Sequence, residues 1–294
     1  MRKFTGLGVA MVTPFDTQGK VDEQGLKNLT NYLVDGGVDF LVVQGTTGEA
    51  ATLTKQEKSR TLEIVQETNN GRLPVVYGIG GNNTALVCEQ LKNAPDSIDG
   101  VLSVSPYYNK PTQHGIYEHY KAISNSSDLP IILYNVPGRT SSNVQADTTL
   151  KIASDFENIV AVKEASGNLE QVMEIIKGRP DNFTVLSGDD ALTLPMMAAG
   201  ADGVISVVGN AYPSAFSAMV KAMAQGQMVE ARINHYALLP IIQAMFAEGN
   251  PAGVKEFLSR RGVCDAHVRL PLVGVSKELH AFITALDKEL LQVH

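Results

Sequence analysis

The chain has 294 residues, of which 44% are hydrophobic and 19% charged, so it can bury a large core within one domain. A net charge of -7, without a block of like charges, gives no electrostatic reason to expect nucleic acid or an anionic membrane as a partner. The start of the chain lacks a signal-peptide pattern and no apolar run is long enough to span a bilayer, so we expect a soluble cytoplasmic protein.

Short apolar runs recur along the chain, each followed by a helix-like polar and apolar pattern. This alternation is typical of βα units. Eight strands with crossover helices fit a closed (β/α)8 barrel, a TIM barrel, better than an open doubly wound sheet. The predicted strands cover residues 8–12, 40–43, 74–78, 100–104, 131–134, 159–163, 183–186 and 203–207.

Helix signals lie between the strands and continue after the last one. The helix predicted over 22–36 opens with acidic residues and closes on two glycines, while Thr54 and Glu57 have the spacing of a capping box at the start of the helix over 54–69. We assign residues 1–224 to the barrel and residues 225–294 to a C-terminal helical region packed on it, because no flexible linker separates the two. The later helices are predicted over residues 214–225, 228–247, 252–260 and 276–291.

The active site of such a barrel lies at the C-terminal ends of its strands and in the loops that follow them. In this chain those positions are rich in hydroxyl groups and poor in metal ligands. Cys88 and Cys264 stand in unrelated contexts and the histidines show no paired spacing, so we expect no metal site. The glycines of residues 78–81 lack the full spacing of a dinucleotide-binding turn, so we expect no nucleotide cofactor there.

Lys163 is the strongest chemical signal, because it directly follows the apolar residues 159–162 and lysine is seldom tolerated in a buried strand. Side chains alternate along a strand, so Ala161 and Lys163 share one face, which we assign to the barrel interior. The other face, towards the helices, then carries Val160, Val162 and Glu164.

The chemistry of a buried lysine has two explanations. Burial disfavours the ammonium form and favours the neutral amine that attacks a carbonyl. The alternative is that Lys163 pairs with a carboxylate at the barrel rim, Asp189 or Glu49. The strand pattern alone does not separate these two.

Other candidates share this ambiguity. Tyr134 ends a strand, where a phenol can transfer protons, but a tyrosine there can also simply cap the core. Thr46 and Thr47 lie between two glycines, an arrangement that lets backbone and hydroxyl groups approach a small anion, or that forms an ordinary turn. Arg139 follows a rigid Pro-Gly pair and is a good bidentate partner for a carboxylate, although most loop arginines are merely solvated.

Taken together, the motifs resemble the dihydrodipicolinate synthase family of pyruvate-dependent class I aldolases. The resemblance runs from Thr5 to about Leu272, and its specificity comes from several motifs in the right order at the right strands. The motifs are Gly45 to Glu49, Tyr107 to Pro111, Tyr134 to Thr140 and Lys163 to Gly167.

The resemblance implies a role for each matching residue. Lys163 corresponds to the lysine that forms the Schiff base, and Tyr134 to the tyrosine that shuttles protons at the imine. Thr46 corresponds to a threonine of the proton relay, and Tyr108 to a tyrosine that reaches across a subunit interface to complete that relay. A homo-oligomer, either a dimer or a dimer of dimers, is therefore expected.

The resemblance also implies the substrates, pyruvate and L-aspartate 4-semialdehyde, in the pathway to diaminopimelate and lysine. The pyruvate carboxylate corresponds to a site at Thr47 and the backbone near Gly188 and Ile205, and Arg139 corresponds to the residue that binds the carboxylate of the aldehyde. No cofactor is implied, because the imine itself accepts the electrons.

Two other functions stay open. N-acetylneuraminate lyase and 2-keto-3-deoxygluconate aldolase share the lysine, the tyrosine and the hydroxyl turn, but generally lack an arginine at the position of Arg139. A keto-acid sensor without turnover is the non-enzymatic alternative, against which the full set of chemical residues argues.

Members of the family are often inhibited by lysine at a dimer-interface site. Asn82 and Tyr107 fit that site. Where inhibited members often have histidine and glutamate, this chain has Lys55 and Leu86, so we expect weak or absent inhibition. The remaining positions near the site are Ala50 and Lys58.

Overall fold

A computed structural model describes residues 2–291 of the chain. Eight parallel strands pair in chain order, and the first strand closes the ring by pairing with the eighth. This confirms the predicted (β/α)8 barrel, followed in the chain by further helices. The strands are β1 (Gly6–Ala10), β2 (Phe40–Val43), β3 (Val75–Gly78), β4 (Gly100–Val104), β5 (Ile131–Asn135), β6 (Ile159–Glu164), β7 (Thr184–Ser187) and β8 (Gly203–Ser206).

Helices connect the strands and follow the last one. Short 3-10 turns precede α2 and follow β8. The helices are α1 (Glu23–Asp35), α2 (Lys55–Asn69), α3 (Thr84–Lys92), α4 (Gln113–Ser124), α5 (Pro137–Thr140), α6 (Ala146–Asp155), α7 (Leu169–Gly178), α8 (Thr193–Ala198), α9 (Pro213–Ala224), α10 (Met228–Phe246), α11 (Ala252–Arg260) and α12 (Lys277–Leu291).

The first two helices begin at the capping residues that their sequences predict. The Asp22 carboxylate accepts the N–H of Gly25 at 3.0 Å at the start of α1. Thr54 and Glu57 form the reciprocal capping box of α2, with N···O distances of 3.2 and 2.9 Å. Such caps satisfy N–H groups that have no partner within the helix and stabilise it by about 1 kcal/mol.

Alternation along the strands produces two hydrophobic layers. Outward-facing residues such as Leu41, Val101 and Val162 pack against the helices. Each fully buried aliphatic side chain of this kind contributes roughly 1.5–3 kcal/mol. Inward-facing residues fill the barrel, and they include Ala10, Phe40, Val42, Val76, Leu102, Ile132, Tyr134, Ala161, Leu186 and Ile205.

One predicted orientation is wrong. We expected Val160 to face the helices with Val162, but Val160 is half-buried against the inward-facing cluster. The register between β5 and β6 shifts by one residue at this point, and such a bulge resets the alternation of side chains. Ala161 therefore packs in the interior cluster and Val162 in the outer layer, as predicted.

Aspartate side chains join neighbouring strands at the end of the barrel opposite the candidate active site. In each case an aspartate just before an even-numbered strand accepts a backbone N–H from the strand preceding it. These bonds fix the register where a parallel pair begins. The pairs are Leu7 with Asp39, Val75 with Asp99 and Val185 with Asp202, with N···O distances of 2.7, 2.7 and 2.8 Å.

The helices after β8 lie on one side of the molecule. α9 packs against β1, α10 lies along α9, and α11 and α12 pack against α10. We propose residues 225–294 as the C-terminal helical region and residues 1–224 as the barrel, of which residues 1 and 292–294 lie outside the described part. Between residues 2 and 291, none of the helices has both the length and the apolar character needed to cross a membrane.

Candidate active site

Lys163 and Tyr134 meet inside the C-terminal mouth of the barrel. They are paired in register across β5 and β6. The Lys163 Nζ lies 4.3 Å from the centroid of the Tyr134 ring, and the two residues are only 5% and 7% exposed. An amine beside a phenol in a nearly closed site can attack a carbonyl and exchange protons with the adduct.

The alternative partners proposed for Lys163 are engaged elsewhere. The Glu49 carboxylate binds Nζ of Lys255 at 2.5 Å. Asp189 accepts the backbone N–H of Ala191 at 3.0 Å. Among the side chains of residues 2–287, no carboxylate lies within salt-bridge distance of Lys163, so its amine forms no ion pair with them.

Gly188 lies directly against the Lys163 side chain. A Cβ on Gly188 would lie 3.1 Å from Cε of Lys163 and 2.7 Å from Cβ of Ala165. The Gly188 N–H donates to the Glu164 carbonyl at 2.8 Å and is therefore not available to a ligand. The contribution of Gly188 is the space it leaves beside the amine. Ile205, from β8, belongs to the buried interior cluster.

The two threonines lie in a 3-10 turn immediately after β2, spanning Thr46–Gly48. Thr46 is exposed, whereas Thr47 is buried. The Thr47 hydroxyl oxygen accepts a hydrogen bond from Nδ2 of Asn250 at 2.9 Å. The hydroxyl hydrogen of Thr47 is left to donate to an anionic oxygen.

Asn250 is a residue that the sequence analysis missed. It is 203 positions from Thr47 along the chain, in the segment between α10 and α11, and is only 8% exposed. Its Oδ1 has no hydrogen-bond partner in the part of the chain that the structure describes. No local pattern marks such a contact: the proline that follows Asn250 restricts its backbone but does not indicate a partner.

Glu49 directly follows the 3-10 turn that carries Thr46 and Thr47, and its carboxylate links this turn to the C-terminal helical region. One of its oxygens binds the fully buried Lys255, and the other accepts the backbone N–H of Arg269 at 2.9 Å. The Lys255 Nζ also donates to the His267 carbonyl at 2.7 Å. Burial lowers the pKa of Lys255, and the negative charge of Glu49 opposes that shift. Lys255 and Arg269 were also missed in the sequence.

Arg139 lies on α5, a single helical turn directly after β5. Its side chain is exposed, and within the described residues it forms no salt bridge. The backbone is fixed, since Pro137 begins the turn and the Arg139 N–H donates to the Val136 carbonyl at 2.9 Å. The exposed guanidinium carried on this fixed backbone can bind a carboxylate bidentately.

Tyr107 and Tyr108 follow β4 and are 40% and 88% exposed. Tyr108 has a φ of 74°, in the left-handed region, so the local backbone directs it away from an ordinary extended path. A side chain this exposed does not line the interior of its own barrel. Any role of Tyr108 at a buried amine therefore requires a second chain.

The groups assembled at the strand ends are an amine, a phenol, hydroxyls and a guanidinium, which bind carboxylates and transfer protons. Among the described residues, no three His, Cys, Asp or Glu side chains lie close enough together to hold a metal ion.

A closed barrel with a buried lysine beside a tyrosine at its C-terminal mouth defines a barrel enzyme of the Schiff-base-forming class. The Dihydrodipicolinate synthetase family matches residues 3–289, and the chain belongs to that family.

Relatives match the chain over nearly its full length. It is 51% identical over 291 residues to the 4-hydroxy-tetrahydrodipicolinate synthase of Flavobacterium psychrophilum, covering 99% of each chain. The dihydrodipicolinate synthase of Aquifex aeolicus has a TM-score of 0.94 at 43% identity, covering 97% of this chain and 98% of that one. The chloride-inhibited dihydrodipicolinate synthase of Acinetobacter baumannii, solved with pyruvate, has a TM-score of 0.94 at 36% identity, with 97% and 98% covered.

Proposed function

We propose that the chain catalyses the 4-hydroxy-tetrahydrodipicolinate synthase reaction, a lyase reaction in which pyruvate condenses with L-aspartate 4-semialdehyde through a Schiff base on Lys163. The observation that carries the proposal is the buried Lys163 amine, which has no carboxylate partner among the described side chains and lies over the Tyr134 ring at 4.3 Å. Family membership and relatives of that name over nearly the whole length support the reaction.

The reaction begins when the neutral amine of Lys163 attacks the keto carbon of pyruvate. Loss of water leaves a protonated imine, which draws electrons from the neighbouring methyl group. Removal of a methyl proton then produces an enamine, so the imine acts as the electron sink and we expect no cofactor.

The enamine carbon forms a bond to the aldehyde carbon of the second substrate, and the aldehyde oxygen takes up a proton. The amino group of that substrate then attacks the imine carbon, closes the ring and expels the Lys163 amine. Tyr134 and Thr46, together with Tyr108 of a neighbouring chain, are the proposed proton relay.

The two carboxylates of the substrates need separate binding groups. The pyruvate carboxylate is proposed to lie at Thr47, whose hydroxyl hydrogen is available, in the space left by Gly188 and beside Ile205. Arg139, which has no salt-bridge partner among the described residues, is proposed to bind the carboxylate of the aldehyde substrate.

Borohydride reduction in the presence of pyruvate tests the covalent step. Reduction converts the imine into a stable secondary amine, and mass mapping should locate it on Lys163. Lys163→Ala should carry no adduct. An adduct on another residue, or none on the wild type, would contradict the mechanism.

Substrate competition separates the two enzyme alternatives. The wild type should turn over aspartate semialdehyde and not N-acetylneuraminate or 2-keto-3-deoxygluconate. Arg139→Ala should lose mainly aspartate semialdehyde turnover while it still forms the pyruvate adduct. A keto-acid sensor would form the adduct and turn over none of these substrates.

Regulation by lysine is expected to be weak. Leu86, 48% exposed at the start of α3, offers no carboxylate to the ammonium group of lysine, and Lys55 adds a repelling charge. Turnover measured against increasing lysine at fixed pyruvate should therefore stay nearly constant. The double change Lys55→His with Leu86→Glu should increase inhibition, and strong inhibition of the wild type would refute the expectation.

We also propose that the protein is cytoplasmic and assembles as a homo-oligomer, a dimer or a dimer of dimers. The 88% exposure of Tyr108, combined with its proposed role at a buried amine, supports an assembly in which each chain completes the site of another.

A further inference from the structure

Glu164 is a buried carboxylate that the proposed reaction does not use. It follows Lys163 on β6 and is only 1% exposed. Its oxygens accept N–H groups from the Asn135 amide at 3.2 and 3.0 Å, the Gln171 amide at 3.0 Å and the Ser166 backbone at 2.7 Å. All of these partners are donors, the pattern that suits an ionised carboxylate. Among the side chains of residues 2–287, no cation lies within salt-bridge distance of Glu164.

The pairing of β5 with β6 links this carboxylate to the reacting groups. Tyr134 pairs with Lys163, and Asn135 pairs with Glu164 one position further along. Because side chains alternate, the first pair faces the interior and the second pair faces the helices. Rotation of the end of β5 or β6 would move both residue pairs together. The hydrogen bonds of Asn135 and Glu164, on the side of the helices, therefore also restrain Tyr134 and Lys163 inside the barrel.

The same network reaches the chain that follows Arg139. The Asn135 Oδ1 accepts the Val144 N–H at 3.0 Å, and its Nδ2 donates to Asn143 at 2.8 Å. Gln171, in the first turn of α7, accepts from the Asn143 amide at 2.8 Å. One carboxylate therefore joins the ends of β5 and β6 to α7 and to the segment after α5.

We propose that Glu164 is a positioning residue whose buried carboxylate holds the Tyr134 ring in place beside Lys163. The inference rests on the proposed Schiff-base reaction. Borohydride labelling measures how much imine is present once imine formation has reached equilibrium, whereas exchange of the pyruvate methyl protons depends on the rate of proton removal. A displaced phenol therefore slows exchange more than it lowers labelling. Misplacement by about 1 Å can slow a step on the order of 100-fold.

Glu164→Gln tests the proposal, because it keeps the volume of the side chain but points an amide N–H at one of the existing donors. Two measurements use pyruvate alone: borohydride labelling of Lys163, and exchange of the pyruvate methyl protons in D2O followed by NMR. We expect labelling close to that of the wild type, with exchange slower by roughly 10- to 100-fold. An equal decrease in Lys163 labelling and in methyl-proton exchange, or no decrease in either, would overturn the proposal.

Asp202→Asn is a matched control, since Asp202 also holds strand ends but at the opposite end of the barrel. This variant should lower the free energy of unfolding without changing the ratio of the methyl-proton exchange rate to the extent of Lys163 labelling. If Glu164→Gln does not fold, Gln171→Met removes only one donor and should shift that ratio less, in the same direction. An unchanged ratio in folded Gln171→Met would then refute the proposal.

A double variant supplies a rescue. Asn135→Asp together with Glu164→Gln restores an N–H···O bond between positions 135 and 164 and should recover part of the exchange rate. No recovery in a folded double variant would count against positioning. If wild-type Lys163 is not labelled at all, the proposed function fails; normal wild-type labelling with an unchanged ratio in Glu164→Gln refutes this inference alone.

Discussion

At the scale of single residues, the space around the Lys163 amine is bounded by a glycine. Gly188→Ala should reduce turnover on the order of 100-fold, because the added Cβ would lie 3.1 Å from Lys163 Cε and 2.7 Å from Ala165 Cβ. Steady-state kinetics and borohydride labelling would measure the effect. Gly274→Ala, at a position with no atom near the added Cβ, is the control and should behave as wild type.

His119 predicts a specific acid sensitivity. It is buried on α4, with its Nδ1 2.9 Å from the Thr84 hydroxyl, and burial lowers its pKa to about 4. An unfolded histidine has a pKa of about 6.5, so the unfolded chain takes up the proton first and the folded state loses stability as the pH falls from about 6.5 towards 4.

The size of this effect follows from the shift. The free energy of unfolding should decrease by up to about 3 kcal/mol over that pH range through His119. Urea denaturation at several pH values measures the decrease, and His119→Gln should show a smaller one. Equal pH dependence in the two proteins would contradict the assignment.

At the scale of elements, the buried pair of Glu49 and Lys255 joins the turn after β2 to α11. Lys255→Met should reduce the free energy of unfolding by about 3–5 kcal/mol, because it leaves Glu49 as an uncompensated buried charge. It should also raise the KM for pyruvate, since the same turn carries Thr47. Denaturation and kinetics measure the two effects.

Two controls make this prediction specific. Adding Glu49→Gln to Lys255→Met removes the isolated charge and should restore part of the lost stability. Lys221→Met, at an exposed lysine of α9, should change stability little. A stability loss in Lys221→Met equal to that in Lys255→Met would argue against the buried pair.

Element boundaries were predicted well where apolar runs coincide with hydrogen-bonded strands. β2 and β4 have the predicted bounds, whereas β1 was predicted over 8–12 and spans Gly6–Ala10. Met11 and Val12 are buried although they follow the strand. An apolar run in the sequence indicates which residues are buried, not which residues form strand hydrogen bonds. At the barrel mouth, buried residues continue beyond the last paired residue of the strand, so the predicted strand ended too late.

At the scale of the whole molecule, the exposed Tyr108 predicts complementation between inactive chains. Lys163→Ala and Tyr108→Phe should each have low activity alone, but mixed dimers contain one site with both groups intact. Random mixing should restore about a quarter of wild-type activity, because half of the dimers are mixed and each has one complete site.

The matched negative control pairs Lys163→Ala with Tyr134→Phe. Lys163 and Tyr134 lie on adjacent strands of one chain, so no mixed dimer has a complete site. Mixing after denaturation and refolding, or co-expression with two affinity tags, provides the mixed species. Restoration by this second pair, or none by the first, would exclude a relay that crosses the interface.

The sequence by itself determined the barrel and the inward position of Lys163, since periods of strand and helix and the alternation within a strand are local properties. The resemblance added the expected roles. Only the tertiary structure decided which carboxylates were already paired and where the bulge at Val160 reset the alternation. It also decided that Asn250 bonds to Thr47, Lys255 to Glu49 and Glu164 to Asn135. These features depend on contacts between distant segments or on the register between strands. Neither kind of feature produces a repeating pattern in the sequence from which it could be predicted.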